Sequence, residues 1–214
     1  MIRYDMPQRS PEWRQVRCGK LTASDAEAIF AKGRGGEEAT TRRDLRWKLV
    51  AEILSGQPQG DDYVNDAMRH GIDAEDAARR CHEARTGELV EAVGFLAHDE
   101  LAAGCSPDGL VGEGLLELKA PKTATHIGYM RDPDALVAKY RAQLAHALWV
   151  SEAPWVDIAS FDPRLPAHLQ YVSARVRRDA VDLNAHDAAV RKFLTEVELD
   201  VASLKGWSIM KETA

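Results

Sequence analysis

Residues 105–121 carry the strongest signal in the sequence, because two turn motifs there predict a tight β-hairpin. Asp108 lies in a Pro-Asp-Gly turn signature, and Gly112-Glu113-Gly114 marks a second turn between two apolar pairs. In the second strand, Glu117 and Lys119 are two residues apart and share one face. Folding about the tip sets Asp108 opposite Glu117, with Cβ atoms about 5 Å apart. A register slip of one residue would separate the two carboxylates.

The paired acidic side chains of this hairpin suit a divalent cation. Two carboxylates this close repel each other unless one takes up a proton or a cation lies between them. Asp108, Glu117 and a backbone carbonyl such as that of Leu118 form an all-oxygen set suited to Mg²⁺ or Mn²⁺. Lys119 could orient an attacking water. Each motif alone is more often a plain turn or a solvated strand face, but together they resemble the Pro-Asp, Asp/Glu-x-Lys nuclease superfamily.

Two predicted helices carry polar residues within apolar stripes. Residues 63–85 show spacings of three and four that put Glu75 on the inward side. A buried carboxylate needs a partner, so Glu75 either pairs with an arginine such as Arg79 or faces a metal or the water it activates. In the helix that Asp134 opens, Gln143 lies within the buried stripe. This amide either hydrogen-bonds the attacking water or the phosphate, or is satisfied by backbone in the core.

The N-terminal segment predicts two helix starts. Ser10–Trp13 is typical of a helix N-terminus with proline in the first position, and Arg17 ends this helix before Gly19 stops it. Ser24, with Glu27 three residues later, fits a capping box that opens a second helix. Helix N-termini bind phosphate through free N–H groups, and a nearby arginine adds a bidentate partner. Taken alone, Ser24 is more often only a cap and Arg17 only a surface charge.

Five motifs follow one another along the chain: Arg17-x-Gly19 with Thr22-Ala23-Ser24, Gly71 with Glu75 and Ala78-Arg79, Ser106-Pro107-Asp108-Gly109, Leu116-Glu117-Leu118-Lys119-x-Pro121, and Tyr140-x-x-Gln143. In this order they resemble the phage lambda exonuclease family, also called YqaJ-type viral recombinases. The resemblance implies a 5′-to-3′ exonuclease that degrades one strand of linear double-stranded DNA and leaves a single-stranded 3′ tail. It also implies a ring-shaped homotrimer that works beside a single-strand annealing protein.

The same resemblance implies roles for single residues. The implied metal ligands, for two ions of Mg²⁺ or Mn²⁺, are Asp108, Glu117, the Leu118 carbonyl and, at the second ion, Glu75. Lys119 is the implied lysine that activates water, and Gln143 lines the active site. The implied pocket for the 5′-phosphate is formed by Arg17, Ser24 and Ser106. Arg34 matches a DNA-contacting arginine, and Met68 an apolar wedge against the terminal base pair. The chain departs from the family at Thr125, where the lambda enzyme has an arginine, although Lys122 could supply that charge.

Length and composition favour one domain over residues 1–214, because 214 residues with 45% apolar side chains can bury one substantial core. Helices and strands alternate along the chain, which predicts an α/β fold with a restriction-endonuclease-like core, that is, a mixed central β-sheet flanked by helices. Strands are expected near 89–119, 155–161 and 168–176, and a last helix over about 180–204.

Three widely spaced cysteines predict reduced thiols and neither a disulfide framework nor a zinc site. The sequence shows no apolar signal core and no run approaching the roughly 18 apolar residues of a membrane span, so we expect a cytoplasmic protein without a membrane partner.

The net charge of −6 is unevenly distributed. Residues 1–50 carry 11 basic and 7 acidic side chains, a net of +4, and the remainder carries 17 and 27, a net of −10. Basic charge around Arg42, Arg43 and Arg46 could therefore admit DNA to one channel. The equal alternative is that these arginines only form the solvated side of a helix whose other side buries Leu45 and Leu49.

Two other functions remain open from the sequence alone. A structure-specific or restriction-type endonuclease could use the same core, although a pocket for the 5′-phosphate argues for the recognition of DNA ends. An inactive DNA-binding or adaptor module would have no physical need to hold Asp108 and Glu117 together.

Overall fold

The computed structural model of the protein describes residues 1–60 and 66–207, except for the side chains of residues 36 and 66–73. The strands in this part are β1 Ile2–Tyr4, β2 Leu21–Thr22, β3 Val90–Glu91, β4 Phe95–Ala97, β5 Ala103–Cys105, β6 Gly109–Val111, β7 Gly114–Lys119, β8 Trp155–Phe161 and β9 Tyr171–Arg177. The α-helices are α1 Pro11–Arg17, α2 Thr40–Ser55, α3 Asp66–Thr86, α4 Thr123–Arg131, α5 Pro133–Ser151 and α6 Leu183–Lys205. Short 3₁₀ helices cover Ala23–Phe30, Arg34–Gly36, Ala167–Leu169 and Arg178–Ala180.

The strands form two mixed sheets rather than the single central sheet that the sequence predicts. One sheet has the order β1-β4-β5-β2 and the other β3-β6-β7-β8-β9. Within the five-stranded sheet, β7 and β8 are parallel and the other pairs are antiparallel. The predicted α/β fold with mixed pairing and flanking helices is thus confirmed.

Strand β8 separates two apolar cores, because its side chains alternate between the faces of the sheet. Val156 and Ile158 belong to the larger core, which also contains apolar residues of α5 and α6. Ala159 and Phe161 lie on the other face and pack with residues of α3. Helices α3 and α5 therefore approach the middle of this sheet from opposite sides.

The register of the β6–β7 hairpin is the one that the sequence predicts. Gly109 pairs with Leu116, and the Asp108 N–H donates to the Leu116 carbonyl at 2.9 Å. The next residues outward, Asp108 and Glu117, therefore lie opposite each other. Gly112 forms the tip with a φ of 53°, a left-handed conformation that favours glycine.

The start of β7 is fixed by an aromatic ring. Gly114 lies directly against the indole of Trp155, and a Cβ atom on Gly114 would come within 2.3 Å of that ring. On the same ring, the Arg175 guanidinium lies 3.4 Å from the centroid. Only a glycine therefore fits at this position without displacing Trp155.

The helix predictions near the N-terminus are partly confirmed. The Ser10 hydroxyl caps α1 by accepting from the Trp13 N–H at 3.1 Å, as expected. The predicted capping box is wrong, because the 3₁₀ helix Ala23–Phe30 begins one residue before Ser24. Thr22, the last residue of β2, is already extended and takes the N-cap position, so the Ser24 hydroxyl shares a hydrogen bond with the Thr22 hydroxyl instead.

Other helix boundaries shift by a few residues toward their true caps. Helix α5 begins at Pro133 because the side chain of Asp132 accepts from a backbone N–H of its first turn. Helix α6 begins at Leu183 rather than 180 because Asp182 caps it in the same way. The first residues of the predicted helix 63–85 lie outside the described residues, and α3 is described from Asp66.

All three cysteines have free thiols, with Cys105 buried and Cys18 and Cys81 partly buried. Among the described residues, no helix has both the length and the apolar character needed to cross a membrane.

Candidate active site

One face of β7 and one turn of α5 build a polar cluster around Glu117. Lys119 Nζ donates to Glu117 Oε1 at 2.6 Å and to Gln143 Oε1 at 3.2 Å. Gln143 Nε2 donates to the same Glu117 oxygen at 2.5 Å. The ring of Tyr140, one turn before Gln143, lies 4.5 Å from Lys119 Nζ. The cluster is thus a closed ring of hydrogen bonds among a carboxylate, an ammonium and an amide.

Asp108 joins this cluster from the end of the hairpin. Its Oδ2 atom accepts from the Leu118 N–H at 2.6 Å, which draws the carboxylate toward β7. Removal from water, and then the negative charge of Glu117, raise the pKa of Asp108 to about 8. Asp108 therefore resists ionisation, and the nearby charge of Glu117 adds to that resistance, in line with the repulsion that the sequence predicts for two carboxylates.

The ammonium of Lys119 offsets part of this repulsion. Burial lowers the pKa of Lys119, but the charges of Glu117 and Asp108 outweigh that effect and raise the pKa above its usual value. Lys119 therefore carries a proton and donates hydrogen bonds.

The cluster fits a hard divalent cation. Its donors are carboxylate and carbonyl oxygens, which Mg²⁺ and Mn²⁺ prefer, and a positive charge would oppose both the burial and the charge of Glu117 that raise the pKa of Asp108. Asp108, Glu117 and the carbonyl of Leu118 are the residues that would hold it. Their assignment as metal ligands stays a prediction.

Glu75 is held by two arginines. Its Oε1 atom pairs with Arg79 one turn along α3, and its Oε2 atom accepts from Arg9 Nη2 at 2.6 Å. Arg79 also donates from Nε to the Asp108 carbonyl at 2.8 Å, so Glu75 adjoins the cluster through this arginine. Of the two alternatives for Glu75, the structure contains the ion pair. Its role at a second metal ion stays a prediction.

A second polar pocket lies two residues before Asp108. The Ser106 hydroxyl accepts from Arg17 Nη1 at 3.0 Å and from Trp13 Nε1 at 2.9 Å. The Trp13 ring lies 4.0 Å below the Arg17 guanidinium, because the two residues are four apart on α1. Trp13 is not among the predicted site residues, although its spacing from Arg17 places both side chains on one face of the helix.

Arg17 keeps a positive charge without a direct acidic partner. Burial lowers the pKa of Arg17, and the more distant charges of Asp25 and Glu52 oppose that shift. Within the described part of the chain, its guanidinium forms no ion pair, and its partners are a hydroxyl and an aromatic ring. An arginine in this setting is suited to bind an anion.

The roles of the remaining predicted DNA contacts stay predictions. Ser24 is exposed, and its hydroxyl shares a hydrogen bond with the Thr22 hydroxyl. Arg34 is exposed in the 3₁₀ turn Arg34–Gly36. Met68 belongs to α3 by its backbone, but its side chain lies outside the described residues, so its role as a wedge stays a prediction.

The basic side of α2 is neutralised by acidic side chains. Arg42 pairs with Glu38 at 2.6 Å and with Glu196 of α6 at 2.7 Å. Arg46 pairs with the same Glu38 and with Asp200 of α6. These arginines therefore join α2 to α6, and with side chains only 16% and 18% exposed they form neither a DNA channel nor a solvated helix side.

A second group of metal-ligand types lies between the end of α3 and the sheet. His82, Glu88 and Asp157 each place one ligand atom within 4.8 Å of the others. A cation is already present there, because Arg175 pairs with Asp157 at 2.8 Å and with Glu88 at 3.3 Å. The group is therefore a paired structural cluster.

Similarity to known proteins identifies the family of the chain. A family model described as the YqaJ-like viral recombinase domain matches residues 12–154, a range that contains every candidate residue from Arg17 to Gln143. The chain belongs to the YqaJ-like viral recombinase family. No curated protein sequence matches it.

Solved structures extend the match beyond the range of the YqaJ-like family model. An alkaline exonuclease from Laribacter hongkongensis, LHK-Exo, superposes with a TM-score of 0.82 and 33% identity, covering 92% of this chain and 96% of that one. The same values hold for LHK-Exo in complex with dAMP. A phage-related exonuclease from Haemophilus somnus 129PT shares the fold, with a TM-score of 0.68, 11% identity, and coverage of 87% and 95%. Family and fold together indicate a nuclease of the recombinase exonuclease type.

Proposed function

We propose that the protein is a Mg²⁺-dependent 5′-to-3′ exonuclease that digests one strand of linear double-stranded DNA. The product would be a duplex with a 3′ single-stranded overhang, ready for recombination by strand annealing. The proposal rests on one observation above all, the cluster in which Asp108 and Glu117 face each other beside Lys119 and Gln143.

Each residue of the cluster has a distinct task in this proposal. Asp108 and Glu117 hold the divalent ion, which would acidify a water and offset the charge that grows on the phosphate. Lys119, an ammonium with three donors, orients the attacking water and steadies the phosphate oxygens. Gln143 keeps Lys119 and Glu117 in register by bonding to both. Hydrolysis needs no covalent intermediate on the protein.

The Arg17 pocket supports the recognition of a DNA end rather than internal cleavage. Arg17 and Ser106 lie next to each other, and Pro107 alone separates Ser106 from Asp108. A terminal phosphate held by Arg17 would therefore lie near the carboxylates. LHK-Exo, 33% identical, forms a complex with dAMP, the kind of nucleotide that an exonuclease releases. A structure-specific endonuclease would gain nothing from a phosphate pocket so close to the metal ligands.

The wider setting of the reaction is also a proposal. We infer two ions of Mg²⁺ or Mn²⁺ per site, with Glu75 at the second. We further infer a homotrimeric ring, a single-strand annealing protein as partner and a cytoplasmic location. Membership of the YqaJ-like family supports the first two of these inferences.

A single set of digestions tests the function. Linear duplex with a labelled 5′-phosphate, the same duplex with a 5′-hydroxyl, and closed circular duplex are incubated with Mg²⁺ or with chelator. We expect 5′-labelled mononucleotide from the phosphorylated linear duplex, slower release from the hydroxyl form, and no reaction with circles or with chelator. Cleavage of closed circles at a comparable rate would contradict exonuclease action and favour an endonuclease.

The phosphate pocket has its own variant. Arg17→Gln removes the charge but keeps a side chain that can hydrogen-bond Ser106. We expect the preference for 5′-phosphate over 5′-hydroxyl ends to fall to near unity while the hydroxyl substrate is cut at its original rate. Arg14→Gln, on the same short helix, is the matched control. An unchanged preference in Arg17→Gln would remove the pocket from the proposal.

A further inference from the structure

Glu75 is the one predicted metal ligand whose charge is fully compensated by arginines. Its side chain is only 12% exposed, and each of its oxygens faces a guanidinium. Glu117, in contrast, shares a single oxygen between Lys119 and Gln143. A divalent ion that binds at Glu75 must therefore displace at least one arginine.

The two arginines differ in how firmly they are held. Arg79 is anchored at a second point by its bond to the Asp108 carbonyl, and its side chain is 25% exposed. Arg9 is 45% exposed, and Glu75 is the partner that its guanidinium has in the described structure. Arg9 is therefore the cation that can leave at the smaller cost.

The backbone around Arg9 is fixed although its side chain is exposed. Arg9 has a φ of 70°, in the left-handed region that side chains other than glycine rarely adopt. On one side, Gln8 donates from Nε2 to the carbonyls of Val93 and Pro107 at 3.0 and 2.8 Å. On the other side, Ser10 donates its N–H to the Pro7 carbonyl and caps α1. The strained residue thus presents its side chain from a rigid turn.

An open cleft gives ions and water access to this ion pair. The cleft has a volume of about 610 Å³, and its lining includes Arg9, Glu75, Asp76 and Arg79. The acidic residues of its wall, Asp5, Glu75 and Asp76, pair with Arg3, Arg9 and Arg79, so the cleft gains a net negative charge only when an arginine leaves. The negative charge of Glu75 also reaches Asp108 and contributes to its raised pKa.

We propose that Arg9 is a positioning residue that occupies the place of a second divalent cation at Glu75 and leaves when that cation binds. This inference rests on the proposed function, because it assumes that Glu75 serves the metal site. Arg9 keeps Glu75 compensated between turnovers and sets the affinity for the second ion. Within the described residues, the partner of the Arg9 guanidinium is Glu75 and neither Asp108 nor Glu117, the predicted ligands of the first ion.

Mn²⁺ binding to the full-length protein tests this proposal without reference to activity. Free Mn²⁺ is counted by electron paramagnetic resonance during titration of the wild type and of Arg9→Gly. Glycine suits the left-handed backbone, so this variant should fold at least as well as the wild type. We expect a tight and a weak class of ion in the wild type, and a weak class that binds about fivefold more tightly in Arg9→Gly, as expected for the loss of one partly exposed competing ion pair.

Three further variants separate this role from a general effect of charge or fold. Arg9→Lys keeps the cation and should bind Mn²⁺ like the wild type. Arg3→Gln removes a positive charge from the same terminal segment, where Arg3 pairs with Asp5 and Glu91, and should change the weak class by less than the Arg9 variant. Glu75→Gln should abolish the weak class, and adding Arg9→Gly to it should then have no effect.

The outcomes distinguish this proposal from the proposed function. An unchanged weak class in Arg9→Gly, or an Arg9→Gly effect that persists in the Glu75→Gln background, would overturn the role of Arg9 even if the enzyme digests DNA. Mn²⁺ binding as expected in a protein that cuts no linear duplex would instead overturn the proposed function and leave the Arg9–Glu75 exchange standing.

Discussion

Helix α5 contributes residues to two polar clusters that lie one turn apart. The two clusters offset the free-energy cost of removing polar groups from water in different ways. Gln143 belongs to the charged cluster with Glu117 and Lys119. His146, three residues later, bonds through Nδ1 to Nε2 of His186 on α6 at 3.1 Å, and both imidazoles are buried.

The two clusters differ in the charge that they retain when buried. Burial, with a further contribution from His186, lowers the pKa of His146 to about 3, and burial lowers the pKa of His186 to about 4. The histidine cluster is therefore neutral at pH 7. In the Glu117 cluster, Glu117 and Lys119 form an ion pair, and burial, followed by the negative charge of Glu117, raises the pKa of Asp108 to about 8. The histidines lose their charge altogether, whereas the Glu117 cluster keeps an ion pair beside a carboxyl group that a bound cation would ionise.

The largest expected effect on activity comes from removing the carboxyl group of Asp108 from the Glu117 cluster. Asp108→Asn should lower the rate of linear duplex digestion by at least about 10³-fold, because a neutral amide cannot replace a carboxylate as a metal ligand. The rate is measured by release of labelled nucleotide with Mg²⁺. Glu113→Gln, at the exposed tip of the same hairpin, is the control and should keep the wild-type rate. Retained activity in Asp108→Asn would show that the chemistry lies elsewhere.

The histidine cluster should dominate stability in acid. Unfolded histidines bind protons below about pH 6.5, whereas His146 and His186 resist protonation until about pH 3 to 4. Stability is therefore fully present above pH 6.5 and is lost as the pH falls, by roughly 2 kcal/mol per histidine at pH 5. Urea unfolding at pH 7 and pH 5 measures the loss.

His146→Gln sharpens this second prediction, because glutamine retains hydrogen bonding but does not titrate. The variant should lose clearly less stability than the wild type between pH 7 and pH 5. Equal losses in the two proteins would assign the acid sensitivity to other groups.

A comparison along α5 itself should give a smaller effect on activity. Gln143→Leu removes the bonds to Glu117 and Lys119, and we expect about a 10- to 100-fold lower rate, as for the loss of one preorganised donor near a reacting group. His146→Gln, one turn further, should leave the rate within about twofold because the partners of His146 in the described residues, His186 and Trp149, lie outside the Glu117 cluster. Similar losses in both variants would mean that α5 acts through its position alone.

The smallest effect concerns stability in alkaline solution without metal. Folded Asp108 still holds a proton that the unfolded chain has lost above about pH 4, so stability falls as the pH rises toward 8. Asp108→Asn has no proton to lose, and it should melt roughly 3 °C above the wild type at pH 8 with chelator present. Thermal melts with added Mg²⁺ should narrow or reverse this difference, whereas an equal gap with and without Mg²⁺ would argue against an ion at Asp108.

Much of the Glu117 cluster is predictable from the sequence, because its geometry depends on patterns within single short segments of the chain. Turn residues and the alternation of a strand fix Asp108 opposite Glu117, and helical spacing places Gln143 on the buried side of α5. The two sheets are less predictable, because their pairing depends on contacts between distant segments, such as β1 with β4.

Long-range partners account for what sequence patterns missed. Arg9 lies 66 residues from Glu75, and no periodicity links the two. In the sequence, the arginines of α2 indicate a basic surface. In the structure, acidic residues of α6, about 150 residues later in the chain, pair with them. The capping-box prediction for Ser24 is wrong because β2 pairs with β5. This pairing gives Thr22 an extended backbone and places it at the N-cap position.

The contact between Gly114 and Trp155 has a consequence for how this protein can change over time. Any side chain larger than hydrogen at residue 114 would collide with the indole and push β7 away from its neighbours. Because Glu117 lies only three residues further along β7, a substitution at residue 114 would also displace the carboxylate oxygens of Glu117. The hairpin can therefore vary at its exposed tip but not at the residue where β7 begins.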